Sequence, residues 1–435
     1  MSSNEQGGPL QGVRVLDFTN MMSGPTATRF LADMGADVTK IETFPEGDGS
    51  RRFEPKVNDE SYCFAVLNRN KKSVALDLKQ AQGKEIFLKL AKEADIIVEN
   101  FRPGVTKKLG IDYESIRKIN PAIIYASISG FGQTGPYGKK GGFDIIAQGV
   151  SGIMRMTGEP DGRPAKVGIA MNDIAAGTTA LYSILGAYIK KLKTGEGIYL
   201  ETSLLEAGLA WTFWEFGAYF GGGELPLASG TRHRRSTPYQ AYKTQDGYVT
   251  VGGNNDKLWT NFCTMVLNKP EMLKDPRFNP LSARMKNIDA LQDEIEKVFA
   301  AAPTAHWVEK LDAASVPAGP VYTYDQALAD LGLGNRLRLG DHRDQAPFRD
   351  GKAEKRFIGA RDPLAHAVRR DREQIGQEAV EMQPVAMMQN RASKRSPASV
   401  STIHREVASS KSAAATRVSK RMSRVRSKRS ATCST

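Results

Sequence analysis

Over its first 205 residues the chain alternates short β-branched runs with amphipathic stretches. That is the pattern of β-α-β units wound around a largely parallel sheet. VRVLDF (13–18), DVTKIE (37–42), SVALDL (73–78), DIIVENF (95–101), AIIYASIS (122–129) and GIYLETSLL (197–205) predict strands. TATRFLADMG, QGKEIFLKLAKEA and YESIRKIN, with apolar residues three and four apart, predict helices between them. A longer helix is predicted from Asp173 to Lys193, and it places Asp173 at its start. Its small residues Ala175, Ala176, Gly177 and Ala180 would let another element approach closely. The fold class is α/β.

From about Phe216 to Arg235 the sequence turns Gly-rich and basic, which marks a linker or mobile loop over residues 216–240. A smaller second domain, α+β in character, is expected over 241–330. DGYVTVGG predicts a strand there, and DKLWTNFCTMV, IDALQDEIEKVFAA and TAHWVEKLDAA predict helices. After Leu331 the periodicity fades, and residues 331–435 are expected to form an atypical basic tail without a packed core. The chain shows no internal repeat.

Composition changes this picture little. Hydrophobic residues make up 40% and charged residues 25% of 435, close to globular averages, so a wholly disordered or fibrous chain is excluded. The net charge of +13 suggests nucleic acid until it is located. Residues 391–435 hold twelve Lys or Arg against one acid, Glu406, so this segment carries +11 and the preceding 390 residues only +2. A solvated, disordered tail is favoured over a nucleic-acid or membrane arm. No apolar run reaches the roughly 18 to 20 residues of a membrane helix, and the start lacks a basic and then apolar leader. The expected location is the cytoplasm. Cys63, Cys263 and Cys433 lie far apart without CxxC spacing, and the five histidines lack HxxxH pairing. No disulfide framework and no metal site are expected.

Two motifs carry candidate chemistry. Gly130, Gly132 and Gly135 form GxGxxG directly after a predicted strand, but Pro136, Gly138 and Gly141-Gly142 follow where a dinucleotide fingerprint needs a helix. A flexible substrate loop is the better reading. Asp173, in Met171-Asn172-Asp173-Ile174-Ala175-Ala176-Gly177, would by itself be read as a helix N-cap. Its context alters that. Ahead of it stand Asp17-Phe18-Thr19 with Ser23-Gly24-Pro25, then Lys40-Ile41-Glu42, Asn68-Arg69-Asn70-Lys71-Lys72-Ser73, Glu99-Asn100-Phe101-Arg102-Pro103-Gly104 and Ser129-Gly130-Phe131-Gly132.

This ordered set, over residues 10–330, resembles the family III CoA-transferases (CaiB/BaiF type). The resemblance implies a large Rossmann-like domain over 10–215 and a homodimer of interlocked chains. It implies that Asp173 is a nucleophile that attacks an acyl-CoA thioester to give an aspartyl-acyl anhydride. The helix start would aim N–H groups at the developing oxyanion, with Asn172 and the glycines near Gly130 as further contributors. It further implies that Asn20, Met21 and Met22 line the thioester end of coenzyme A. Lys40, Lys71, Asn100, Phe101, Arg102 and Lys108 would hold its adenine and phosphates. Gly130, Gly132, Phe143, Asp144 and Gly222 would belong to substrate loops. Coenzyme A is then a substrate, with no tightly bound cofactor, and the partners are an acyl-CoA and a carboxylic acid.

Two alternatives stay open at this point. The same fold supports 2-methylacyl-CoA racemisation with a His-Asp pair upstream of the aspartate, but here the pair is Phe143-Asp144, and phenylalanine cannot exchange a proton. A CoA-binding protein without catalysis is favoured only by the basic tail. Arg232, Arg234 and Arg235, clustered beside His233, are candidates to pair with a second carboxylate of a dicarboxylic acid. Beyond about Asp330 the family pattern is lost, which motivates the hypothesis of a changed reading frame; resequencing the coding DNA and finding an unbroken native frame through Thr435 would refute it.

Overall fold

The structure is a computed structural model and describes residues 8–57 and 59–330. Six parallel strands form its main sheet: β1 (Arg14–Phe18), β2 (Asp37–Thr43), β3 (Lys71–Leu76), β4 (Ile96–Glu99), β5 (Ile124–Ser129) and β6 (Ile198–Ser203). Their order across the sheet is β3-β2-β1-β4-β5-β6. The connections run outward on both sides from β1 and β4, so the crevice between these two strands is the topological switch point where doubly wound sheets bind ligands.

The central strands β1, β2, β4 and β5 are largely buried on both faces, and their alternation assigns their side chains to one of two cores. Val15, Ile96, Val98, Ile124 and Ala126 join a cluster with α1 (Ser23–Asp33) and α4 (Met171–Thr194). Leu16, Phe18, Ile97 and Tyr125 point the other way, onto Phe87 and Ala91 of α2 (Ala81–Glu93). Parallel register fixes the loops as well: Phe18 pairs with Glu99, and Ser129 with Ser203. The chain therefore leaves β1, β4, β5 and β6 at one common edge.

The close approach expected of the long helix occurs against α1. A Cβ at Gly177 would stand 2.5 Å from the Ser23 carbonyl and 2.8 Å from Thr26 Cβ, so glycine is required for this crossing. Gly195 ends the helix in the left-handed conformation at φ 73°, as helix C-caps favour.

A second, antiparallel sheet contains β7 (Tyr239–Lys243), β8 (Tyr248–Gly252) and β9 (Ala318–Pro320), with β8 in the centre. Val249 and Val251 of β8 pack with Trp259, Phe262, Leu291, Ile295, Phe299 and Trp307 in a third core. Two elements depart from the expectations. The strand expected at 73–78 lies at Lys71–Leu76: Lys71 and Lys72 are sheet residues and Asp77 begins the turn. The Gly-rich linker expected from 216 is helical at first: Phe213–Gly222 forms one helix capped by Gly223, so Gly222 ends a helix and does not lie in a loop. The expected basic tail, 331–435, lies outside the described residues.

Candidate active site

The loops that leave β1 and β4 are tied together at the switch point by one side chain. Asn100 Oδ1 accepts the Asn20 N–H at 2.8 Å, and Asn100 Nδ2 donates to the Asn20 carbonyl at 2.7 Å and to Ser23 Oγ at 3.2 Å. Met21 follows in the left-handed conformation at φ 65°, held by its N–H on buried Asp48, with its side chain exposed. Met22 offers its carbonyl to Thr26 in the first turn of α1. Ser23 completes the path, because its hydroxyl lies near the Asp173 carboxyl and favours its ionised form.

Asp173 is the third residue of α4, half-buried in its first turn, and it is not the cap. The cap acceptor comes from another element. Asp144 opens α3 (Asp144–Val150), and its Oδ1 accepts the backbone N–H of Asn172 at 2.8 Å and of Asp173 at 3.3 Å. Its other oxygen accepts from Gln148 Nε2 at 2.7 Å. Burial, with Asp144 as a second negative charge, pushes the Asp173 carboxyl up to about 7; the Ser23 hydroxyl opposes that rise. Asp173 is thus kept basic, close to two anchored loops, with Ser23 as its side-chain partner.

This geometry corrects one expectation directly. The N–H groups at the start of α4 are not free to receive an oxyanion, because Asp144 already occupies them. Nor does Asn172 contribute: it is fully buried, and its Nδ2 donates to the Leu204 carbonyl at 2.9 Å, so that it joins α4 to the end of β6. A Cβ at Gly208 would collide with that amide.

The GxGxxG segment is a loop, with Gly132 and Gly135 at φ 92° and 83° and no helix until Asp144. Gly130 and Gly142 meet backbone to backbone, too close for any side chain, which closes the loop at its base. Gly132 N–H bonds Ser129 Oγ at 2.9 Å. Phe143 stands 68% exposed just before α3.

The cations expected to hold coenzyme A fall into two groups. Lys40 and Lys71 point inward, each with a side chain 1% exposed. Lys71 Nζ meets Asp17 Oδ2 at 2.9 Å, Thr28 Oγ1 at 2.8 Å and Asn68 Oδ1 at 2.9 Å; Lys40 Nζ meets Asp48 Oδ2 at 2.9 Å and the Thr19 carbonyl at 2.7 Å. Asp17 is held down to about 2 by these two lysines and by the Thr19 hydroxyl, against its own desolvation. The two ammonium groups therefore serve a buried ion network under the loops, and the expectation that they present charge to phosphates is corrected. Arg102 and Lys108, by contrast, are exposed, and neither makes an ion pair among the described residues. Arg102 lies against Gly141, where a Cβ would come within 2.9 Å of its guanidinium. Phe101 packs its ring against Phe18, tilted at 51° with centroids 4.5 Å apart, which makes it largely a core residue.

Three residues of this site escaped the sequence reading as actors: Ser23, Asp48 and Glu99. Glu99 is buried at the end of β4, accepts the Phe101 N–H at 2.8 Å, and is raised by desolvation to about 7. Asp48 binds the Met21, Ser50 and Lys40 groups from a loop with no strand or helix pattern, so only its fold position reveals it. Among the described residues no three His, Cys, Asp or Glu side chains gather as a metal site, and no helix is long and apolar enough to cross a membrane.

Comparison with known proteins places the chain in a family. The profile of the family described as CoA-transferase family III matches residues 10–355, past residue 330 where the sequence reading ended the resemblance. Acetyl-CoA:oxalate CoA-transferase of Acetobacter aceti is 39% identical over 321 residues, covering 74% of this chain and 82% of that protein. Succinyl-CoA:glutarate CoA-transferase of Mus musculus is 39% identical over 314 residues, 72% of each chain. A crystal structure of a CaiB/BaiF family protein from Brucella suis superposes with a TM-score of 0.70 at 36% identity, over 76% of this chain and 89% of that one. The chain belongs to CoA-transferase family III and is an enzyme of the CoA-transferase class.

Proposed function

We propose that the enzyme moves coenzyme A from an acyl-CoA donor such as succinyl-CoA to a dicarboxylic acid, with Asp173 as covalent carrier. The observation that carries this reading is the Asp173 carboxylate itself: half-buried, raised to about 7, and relieved of the capping role by Asp144. A carboxylate with a high pKa in a desolvated setting is the more basic nucleophile once ionised.

In the reading, Asp173 Oδ attacks the donor thioester carbon and the C–S bond breaks, which gives a mixed anhydride and CoA thiolate. The thiolate then attacks Asp173 Cγ and expels the donor acid, leaving an aspartyl thioester. The acceptor carboxylate attacks the same carbon and releases thiolate, which finally takes the acceptor acyl group from the second anhydride and returns Asp173 unchanged. Each step exchanges one acyl bond for another, so no reductant or net water is consumed. Ser23, anchored by Asn100, is suited to orient the attacking carboxylate. Arg102 and Lys108 are the cations left to meet the phosphates.

Relatives named for glutarate and oxalate transfer support a dicarboxylate acceptor. The racemase alternative gains nothing from Phe143, which carries no exchangeable proton. The domain division at 10–215 and 241–330, the cytoplasmic location and a homodimer belong to the same proposal. Exposed Trp211, Phe213, Trp214, Phe216 and Phe220 on one short stretch favour the dimer, since monomers seldom leave such a patch uncovered. Incubating the enzyme with succinyl-CoA and a panel of mono- and dicarboxylates, and following new acyl-CoA by mass, tests the reading. Glutaryl- or oxalyl-CoA formation is expected; thioester hydrolysis alone, or racemised acyl-CoA, would replace it.

A further inference from the structure

Beside the start of α4 lies a cavity of about 220 Å³. Its walls are mostly apolar, from Met156, Val167, Met171 and Trp211, and two charged side chains, Arg234 and Glu215, reach it. The wall is built onto the same scaffold as the nucleophile. Met171 opens α4 two residues ahead of Asp173, and the Val167 N–H bonds Gln148 Oε1 at 2.9 Å. Gln148 in turn bonds Asp144, whose other oxygen holds the Asp173 N–H.

The three arginines beside His233 have different fates. Arg232 is committed to Asp289 at 2.7 Å and to Gln292 Oε1 at 2.6 Å, and Arg235 to Glu224 at 2.5 Å. Arg234 is half-buried in the cavity wall and has no ion pair or hydrogen bond among the described residues. A guanidinium in a mostly apolar cavity, without a carboxylate partner among the described residues, is suited to receive one from outside. The apolar walls suit a short methylene chain, and the fork suits a planar carboxylate at its end.

We infer that Arg234 is the specificity-determining residue of this enzyme, binding the distal carboxylate of the acid whose other carboxyl group is exchanged at Asp173. This rests on the proposed transferase reading and assigns a residue to its choice of acid. Glu215 shares the cavity, so its charge works against the bound dianion, and the affinity is the balance of the two. The arrangement selects a dicarboxylate over a monocarboxylate of equal chain length.

The test compares CoA transfer from succinyl-CoA to glutarate and to pentanoate in the full-length enzyme, with Arg234→Gln, Arg234→Lys and Glu215→Gln. Since Arg234 makes no bond among the described residues, its variants are expected to keep the wild-type melting temperature. Arg234→Gln should raise the glutarate KM by about 30-fold, the lower end of the loss seen when one partner of a desolvated charge pair is removed, with the pentanoate KM unchanged. Arg234→Lys should recover part of that loss, and Glu215→Gln should lower the glutarate KM. Equal changes for both acids, no change for either, or a wild-type preference for pentanoate overturns the inference while transfer through Asp173 stands. Failure of the wild type to transfer to any carboxylic acid would instead overturn the transferase reading on which it rests.

Discussion

Asp144 Oδ1 accepts the backbone N–H of Asp173 at 3.3 Å, so the acid that caps the helix and the acid that would carry the acyl group are separate residues. One carboxylate satisfies the helix terminus and the other is left for chemistry. Because both are negative, the first raises the second, after burial has already done so. Replacing Asp144 with Asn keeps an oxygen acceptor but removes the charge. The Asp173 carboxyl should then ionise at lower pH, and the ratio of kcat/KM at pH 6 to that at pH 8 should rise. Replacing Asp144 with Ala removes the acceptor too and should cost about 1 kcal/mol of stability. A full pH-rate profile of the Asn variant checks the sign; a profile unmoved, or moved to higher pH, contradicts it.

The raised carboxyl has a consequence for folding. Its folded pKa of about 7 lies above the ordinary 3.8, so the stability it contributes is full below about 4 and is lost as pH rises through 7. Asp173→Asn should therefore abolish transfer and yet melt at higher temperature than the wild type at pH 8, by an amount on the order of 2 kcal/mol after allowance for partial solvent access. At pH 4 the two proteins should melt alike. Differential scanning calorimetry at both values decides it, and an Asn variant less stable at pH 8 would show that the ionised form is welcome where it sits.

The inward lysines and the outward arginine should separate cleanly. Lys71→Met leaves the buried Asp17 carboxylate short of its 2.9 Å partner, which should cost about 3–5 kcal/mol in urea unfolding. The folded fraction should still bind coenzyme A with wild-type affinity. Arg102→Ala should do the reverse, weakening coenzyme A binding by about tenfold at low salt and less at high salt, with stability little changed. Asp17 itself, held near 2, should lose its stabilising contribution only as pH falls from about 4 towards 2. Calorimetric titration with coenzyme A, set beside urea curves, reads both effects.

Much of this was legible in the chain. The parallel sheet followed from β-branched runs, and the long helix with its small-residue stripe was read within two residues at its start, Met171 against Asp173. Asp173 emerged from its neighbours in order, not from its own type. What sequence could not show was direction. Lys71 and Lys72 sit side by side, yet strand alternation buries one ammonium at 1% exposure and leaves the other 46% exposed. Asp144 was expected in a substrate loop, and its actual bond is to a helix start 28 residues on. The Gly221–Gly223 run looked like a loop, because glycine lowers helix propensity wherever it stands, but the aromatic run before it carries the helix to Gly222.

The central claim is that the carboxylate of Asp173 becomes covalently acylated or thioesterified during turnover. Hydroxylamine added to the enzyme while it turns over succinyl-CoA would convert either species to a hydroxamate at the aspartyl carbon, and peptide mass spectrometry would locate it. The account predicts that modification on Asp173, dependent on succinyl-CoA and missing in Asp173→Asn. Active transfer with no adduct on Asp173, or with the adduct on another residue, would contradict it.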